Sequence, residues 1–223
     1  MLPFNIVCEK LKTGLLAGCL MLLQTCVSGP QTVSLQEQLT SLPAYLPLAH
    51  EIADVAFFPQ EDFFCGPTTL AEILNFYGRD VSAEQIAPDL FIPDRKGSLQ
   101  IEMVSSIRQY GMLAYAERGD LLQLLSLVSD DIPVIVLQNQ GVSWLPSWHY
   151  ALVIGYDLPE GKIILHTGKT ERRLAPMDLF ESTWRKGGFW LLAAVPPQTR
   201  SNHFDSLVFV SAAQDLLEVR QEQ

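Results

Sequence analysis

The stretch FFPQEDFFCGPTTLAEILNFYG, residues 57–78, places Cys65 directly before a Gly-Pro pair and a run of apolar residues at helical spacing. Those residues recur every three or four positions until Gly78, which predicts a helix that begins close to Cys65. Pro67 suits the first turn of such a helix, where its missing N–H costs nothing. The electropositive N-terminus of a helix stabilises a thiolate, the form of cysteine that attacks carbonyl groups. The stretch therefore indicates a nucleophile, although a buried structural cysteine explains it equally well when it is taken alone.

The composition indicates one globular domain. The chain has 223 residues, of which 48% are hydrophobic and 18% charged, so it can bury a core and is not of the disordered class. The formal net charge is −10 and no basic run is present, which excludes nucleic acid as a partner. Beyond the N-terminal segment no Cys or His pair has metal-ligand spacing, and no Gly-rich phosphate loop is present. We therefore expect no metal and no cofactor.

Residues 1–26 are predicted to be a lipoprotein-type signal peptide. Lys10 and Lys12 precede an apolar run, from about residue 15 to 23, that is too short to span a bilayer comfortably. Three cysteines, Cys8, Cys19 and Cys26, lie in this segment. LAGC at Cys19 matches a lipidation site by residue type, whereas LQTC at Cys26 matches it by position. We favour Cys26, with Cys19 and an uncleaved anchor as the alternatives.

Processing at Cys26 would place the protein outside the inner membrane. The chain would be lipid-anchored and would face the periplasm, at the outer membrane. Cys65 would then be its single thiol, so that no disulfide framework is possible. A lone thiol in an oxidising compartment favours a chemical role for Cys65.

The remaining segments predict helices first and strands afterwards. Residues 27–54, which include Pro43 and Pro47, are predicted to be a linker and a short leading segment. VSAEQIA, residues 81–87, predicts a short helix with a capping box from Ser82 to Gln85. Residues 97–111 predict another helix, and residues 119–131 predict one that begins at Asp120.

The second half of the chain changes to β-branched and alternating runs. IPVIVLQNQ, HYALVIGYD, GKIILHTG and TERRLAP predict strands, and PMDLFESTWRKGG predicts a helix before a closing strand, FWLLAAVPP. Helices followed by a mostly antiparallel sheet predict an α+β domain over residues 55–197. Residues 198–223 predict a C-terminal helix.

The segment SWLPSWHYALVIGYD, residues 143–157, supplies a partner for the cysteine. His149 stands at the start of a predicted strand, directly after a loop that contains Trp144 and Trp148. A cysteine nucleophile needs a base that meets it in space, and we interpret His149 as that base. The two tryptophans are candidates for binding substrate, or they cover the core.

Two more residues near the cysteine are candidates for the site. Gln60 lies five residues before Cys65, and its side-chain amide could donate to an oxyanion together with the backbone N–H of Cys65. A solvated loop residue is the alternative interpretation of Gln60. Gly66 would allow the backbone of a substrate to approach closely.

The motifs PQEDFFCGPTTLAEIL and HYALVIGYD together resemble those of the papain-like bacteriocin-leader-processing peptidases, which cut after double-glycine leaders. They look more like the stand-alone bacterial lipoprotein relatives of that family. The similarity extends over residues 55–197 and includes LFESTWRKGGFW. The resemblance implies a papain-like cysteine peptidase fold, with N-terminal helices packed on the sheet. It also implies that Cys65 is the nucleophile, His149 the general acid and base, and Gln60 the oxyanion donor.

One feature departs from the family pattern. The resembling peptidases carry an Asp-Pro about sixteen residues after the histidine, on the next strand. In this chain that position falls on residues 165–167, where no carboxylate is present. His166 or Thr167 could hold the His149 ring instead, and we take His166 as the candidate. Asp157 ends the same strand as His149, about 26 Å away at about 3.3 Å per residue, so it is too far to serve.

Three functions remain open from the sequence. The leading one is a membrane-tethered periplasmic cysteine peptidase that hydrolyses a peptide bond through a thioester. The second is an amidase or acyltransferase that acts on cell-wall peptides with the same Cys-His pair. The third is a non-catalytic lipoprotein that binds peptides. A peptide or protein substrate and a membrane are thus the expected partners.

Overall fold

The computed structural model describes residues 29–37, 41–91, 97–142 and 144–221. The predicted signal peptide, with the candidate lipidation residues Cys19 and Cys26, lies outside these ranges. Within them, none of the helices combines the length and the apolar character needed to cross a bilayer.

The described residues form seven helices and one seven-stranded sheet. The helices are α1 (Pro30–Glu37), α2 (Cys65–Phe76), α3 (Ala83–Leu90), α4 (Gln100–Gln109), α5 (Leu121–Ser129), α6 (Met177–Lys186) and α7 (Ser206–Gln221). The strands are β1 (Ala49–Glu51), β2 (Leu113–Arg118), β3 (Val134–Asn139), β4 (Trp148–Asp157), β5 (Lys162–Thr167), β6 (Thr170–Pro176) and β7 (Trp190–Val195).

The sheet is antiparallel in each of its strand pairs. The order of its strands is β2-β7-β3-β4-β5-β6, and β1 pairs with the last three residues of β4. The long strand β4 lies between β3 and β5, with His149 opposite Gln138 of β3. The prediction of an α+β domain with a mostly antiparallel sheet is confirmed.

Helices cover both faces of the sheet. The apolar faces of α2, α3 and α4 pack on one side, over strand residues such as Ile135 and Leu152. The neighbouring residues Val134 and Val153 belong to the opposite core, which α5, α6 and α7 cover. Since successive strand residues point to opposite faces, apolar residues at consecutive positions of β3 and β4 fill both cores.

The local helix signals are present where the sequence placed them. Ser82 and Gln85 form the reciprocal capping box at the start of α3, and the Asp120 side chain accepts from the Gln123 N–H at the start of α5. Two strands were not predicted. β1 lies in the segment predicted as a linker, and β2 follows α4 with the short side chains of Ala114 and Ala116 between larger ones.

Candidate active site

Cys65 is the first residue of α2, as the sequence predicted. The preceding residue, Phe64, provides no side-chain cap, so no side chain occupies the N-terminus of this helix from that position. Phe63 has a positive φ of 67°, which is uncommon for a residue with a side chain and is often found near functional sites. This sharp turn delivers the chain into α2 with Cys65 at its tip.

Cys65, His149 and Gln60 line one cleft of about 930 Å³. The structure therefore brings together the three residues that the sequence singled out, although they lie on a helix, a strand and a loop. The cleft lining also includes residues 97–100, which sequence reasoning missed, because they were assigned only to a helix. The glycine at position 97 was the signal in the sequence for a turn at that place, and Gly97 adopts a φ of 92°.

Thr167 at the end of β5 holds the His149 ring. The Nε2 atom of His149 lies 2.7 Å from the hydroxyl oxygen of Thr167. Of the two alternatives for this role, the structure selects Thr167. The prediction of His166 for this role was wrong, because the His166 ring is buried against Phe57 instead.

The surroundings of His149 favour its neutral form. Burial, and secondarily the positive charge of Arg173, lower the pKa of the imidazole to about 4. When Nε2 carries the proton and donates a hydrogen bond to the Thr167 hydroxyl, Nδ1 is left as the basic nitrogen. A threonine hydroxyl can fix this tautomer, but unlike a carboxylate it brings no negative charge to stabilise imidazolium.

The thiol of Cys65 is also kept neutral. Burial raises the pKa of Cys65, whereas the backbone N–H groups of Tyr150, Gly66 and Cys65 itself act in the opposite direction. The expectation that the helix N-terminus would leave a thiolate is therefore wrong in direction, because the cost of desolvation exceeds the stabilisation by N–H groups. The contribution of Tyr150, the neighbour of His149, places the sulfur against β4.

Gln60 is a buried residue with a fixed side chain, not a solvated loop residue. Its Oε1 accepts a hydrogen bond from Gly168 N–H at 2.9 Å, and its own backbone N–H donates to Gly168 O at 2.9 Å. Its Nε2 is buried and has no hydrogen-bond partner among the described residues. A buried amide donor without an acceptor is costly, and Gln60 is one of the residues that line the same cleft as Cys65.

Gly66 has a packing role, and its contact with a substrate stays a prediction. A Cβ atom at this position would lie 2.5 Å from Ser98 Oγ and 3.1 Å from Met103 Sδ. Gly66 therefore lets residues 97–100 approach the start of α2. That segment is also held by Tyr150, whose hydroxyl donates to Ser98 O at 3.3 Å.

The two tryptophans do not cover the core, because Trp144 is 81% exposed and Trp148 is 55% exposed. Trp148 lines the cleft, whereas Trp144 is not among the lining residues, and the binding of substrate by either tryptophan stays a prediction. Their loop is closed by Asn139, whose Oδ1 accepts from Gly141 N–H at 2.9 Å and Ser147 N–H at 3.0 Å. The loop thus presents Trp148 to the cleft from a fixed base.

Solved structures that resemble this chain include three peptidases. A C39-like peptidase of Bacillus anthracis has a TM-score of 0.56 at 16% identity, covering 69% of this chain and 99% of that one. The peptidase domain of Streptococcus ComA, a transporter involved in quorum sensing, has a TM-score of 0.53 at 20% identity, covering 64% and 99%. A double-glycine-motif protease from an AMS/PCAT transporter, solved with the leader peptide, has a TM-score of 0.52 at 22% identity, covering 66% and 95%.

These likenesses show the papain-like fold. A comparison with curated proteins found no match. The family model described as the Peptidase_C39 like family matches residues 52–189, which is more than half of the chain and includes Gln60, Cys65 and His149. The chain therefore belongs to the Peptidase_C39 like family.

Proposed function

We propose that the protein hydrolyses peptide bonds with Cys65 as the nucleophile and His149 as the general base and acid. The side-chain amide of Gln60 and the backbone N–H of Cys65 are the oxyanion donors in this proposal. The observation that carries it is the Nε2 of Gln60, which is buried without a partner among the described residues and belongs to a residue that lines the cleft of Cys65. A donor with no acceptor in the resting protein is what a site prepared for a developing oxyanion requires.

The electrostatics of the pair support general-base catalysis from a neutral resting state. His149 Nδ1 takes the proton of the thiol as the sulfur attacks the carbonyl carbon, and the carbonyl electron pair moves onto oxygen. The tetrahedral intermediate then collapses, the amine leaves with the proton from His149, and a thioester remains on Cys65. His149 next deprotonates a water molecule, which attacks the thioester, releases the carboxylate product and restores the thiol.

The substrate in this proposal is an extended peptide or a peptide segment of a protein. The AMS/PCAT protease was solved with its leader peptide, which supports a peptide as the class of substrate for this chain. Cleft residues of opposite charge, Asp62 and Lys169, together with the exposed Trp148, offer both polar and apolar contacts to such a segment.

The proposed location is the periplasmic side of a membrane, with a lipid on Cys26. The N-terminal sequence supports this location through its short apolar run and the cysteine that follows it. Mass spectrometry of the N-terminal peptide tests it, with Cys26→Ala and Cys19→Ala as the paired variants. A lipid that persists in Cys26→Ala and disappears in Cys19→Ala would move the processing site to Cys19.

Cleavage of a complex peptide mixture tests the activity. New peptide termini should form with the full-length protein and be missing with Cys65→Ala and with His149→Ala. A peptidyl aldehyde, which forms a reversible hemithioacetal with a nucleophilic cysteine, should bind the wild type and protect Cys65 from alkylation. Neither cleavage nor protection by the aldehyde in the wild type would overturn the enzymatic proposal and favour a peptide-binding protein.

A further inference from the structure

Glu72 is a fully buried acidic residue on the helix that carries Cys65. It lies seven residues after Cys65, two helical turns further along α2, so the two side chains share one face of the helix. Its side chain is 0% exposed and lies on a helix whose neighbouring residues Leu70 and Ile73 are also fully buried. An ionisable group in such a place must be stabilised by specific contacts.

One contact of Glu72 reaches the segment of Gln60. Its Oε1 accepts a hydrogen bond from the backbone N–H of Phe58 at 3.0 Å. Phe58 lies two residues before Gln60, in an irregular segment whose backbone forms no helix or strand. This hydrogen bond therefore ties the Gln60 segment to the helix of Cys65.

A second neighbour of Glu72 lies on the strand of Thr167. His166 Nδ1 is 3.9 Å from Glu72 Oε1, and the His166 side chain is 1% exposed. The Nδ1 of His166 and the Oε2 of Glu72 both lack hydrogen-bond partners among the residues that the structure describes. His166 is followed by Thr167, which holds His149, and by Gly168, which holds Gln60.

Burial favours the neutral forms of both groups. It raises the pKa of Glu72 to about 8 and lowers the pKa of His166. A protonated carboxylic acid is a donor and a neutral imidazole nitrogen is an acceptor, so the two unpartnered atoms are chemically complementary. The charged groups that face His166 are Glu171, Glu51 and Arg172, and Arg172 is itself paired with Glu51.

We propose that Glu72 is a positioning residue for the Cys65 site, acting on Gln60 through the Phe58 backbone and on Thr167 through His166. Cys65, Gln60 and His149 belong to three different elements. Glu72 shares α2 with Cys65, accepts a hydrogen bond from the segment of Gln60, and lies beside His166. His166 directly precedes Thr167, which holds His149. The inference deepens the proposed function and rests on it for its effect on catalysis.

The test compares Glu72→Leu with Glu72→Gln in the full-length protein. Glutamine keeps an oxygen that can accept from Phe58 N–H, whereas leucine removes it. We expect Glu72→Leu to lower kcat at least tenfold with KM changed less than threefold, and Glu72→Gln to retain kcat within about threefold.

Glu181→Leu is the matched control. Glu181 is another fully buried glutamate, on α6, and its carboxylate accepts from Gln31 N–H at 3.1 Å and Thr32 N–H at 2.8 Å. Its loss should lower stability without a selective loss of kcat in the protein that remains folded. If Glu72→Leu is folded and keeps the wild-type kcat, the inference is overturned.

Amide hydrogen exchange provides a readout that does not depend on activity. The Phe58 and Gly168 amides should exchange faster in Glu72→Leu than in the wild type. The Phe58 N–H loses its acceptor, the Glu72 carboxylate, and the Gly168 N–H reports the position of the Gln60 side chain. Glu72→Gln should preserve the protection of both. If the wild type cleaves no peptide, the proposed function fails, whereas unchanged exchange of both amides in Glu72→Leu overturns the positioning role on its own.

Discussion

The side-chain oxygen of Gln60 accepts a hydrogen bond from the backbone N–H of Gly168 at 2.9 Å, while the Gln60 N–H donates to the Gly168 carbonyl. The pair of bonds fixes the orientation of the amide, since only oxygen can accept from Gly168 N–H. Nε2 is thereby directed away from Gly168 and left without an acceptor. Orientation, burial and the missing partner together distinguish this glutamine from an ordinary core amide.

Replacement of Gln60 should affect turnover more than binding. We expect Gln60→Ala to lower kcat by about 10²–10³-fold, the usual cost of removing one oxyanion donor, with a much smaller change in KM. Steady-state kinetics on a cleaved peptide measure both constants. Gln100→Ala is the control, because Gln100 also lines the cleft but belongs to α4. Equal losses in the two variants would contradict the assigned role of Gln60.

The hydrogen bond between Thr167 and His149 predicts a difference between two conservative substitutions. Thr167→Val keeps the shape but removes the hydroxyl, at a cost of about 1 kcal/mol, and so should lower kcat/KM roughly fivefold. Thr167→Ser retains the hydroxyl and should keep kcat/KM within about twofold of the wild type. The decisive outcome is a higher kcat/KM for Thr167→Ser than for Thr167→Val. Equal kcat/KM in the two variants would contradict a role of Thr167 in the site.

The pH profile should be broad. Protonation of His149, with a pKa of about 4, should set the acid limb of kcat/KM. Ionisation of the Cys65 thiol, whose pKa is raised above its ordinary value of 9.0, should set the alkaline limb. A thiolate–imidazolium pair stable at neutral pH would instead show rapid alkylation of Cys65 that titrates below pH 7. Alkylation followed by mass spectrometry of the Cys65 peptide separates the two patterns.

Arg173 should move the acid limb. Its positive charge disfavours imidazolium, so Arg173→Gln should raise the pKa of His149 and shift the acid limb of kcat/KM to higher pH. Arg172→Gln is the adjacent control, because Arg172 pairs with Glu51. The profile of the control should stay at the wild-type position. Identical shifts in both variants would indicate a change in net charge and not a local effect of Arg173.

The stability of the fold should depend on the ionisation of Glu72. The folded protein retains the Glu72 proton up to about pH 8, whereas the unfolded chain releases it near pH 4.5. The unfolded state therefore binds fewer protons between these values, so the contribution of Glu72 to the free energy of unfolding falls as pH rises, by at most about 1.4 kcal/mol per pH unit.

Glu72→Gln removes this dependence. The free energy of unfolding of the variant, relative to the wild type, should increase from pH 5 to pH 8 and then level off. His149 contributes an opposite slope, between about pH 4 and 6.5, but it does so in both proteins and cancels in the difference. Urea unfolding at pH 5, 6.5 and 8 measures the effect, and a difference that stays constant with pH would contradict it.

The residues of the site were accessible from the sequence to different degrees. Cys65, His149 and Gln60 were predicted because each stands beside a local signal: a helix start, a strand start and a fixed distance from the cysteine. The choice between His166 and Thr167 required the direction of side chains in β5, and the strand has an irregular register between Leu165 and Thr167. Counting residues cannot determine a side-chain direction across such an irregularity.

Other features depend on contacts distant in sequence. The direction of the Cys65 pKa follows from how deeply the thiol is buried, which no local pattern reports. The packing role of Gly66 is likewise not visible locally, because its Cβ space is taken by Ser98, more than thirty residues further along the chain. Strand β1 became identifiable only through its pairing with β4, because three residues carry too little alternation to be recognised.

The turn between β5 and β6 has only two residues, Gly168 and Lys169, and Thr167 faces Thr170 across it. Gly168 adopts a φ of 58°, which suits the first position of such a turn. Thr167 contacts His149 and the next residue, Gly168, contacts Gln60, so one inserted residue would displace the partners of His149 and Gln60 together. Loop exchange between relatives should therefore fail at this hairpin, which makes its length a criterion for choosing active homologues.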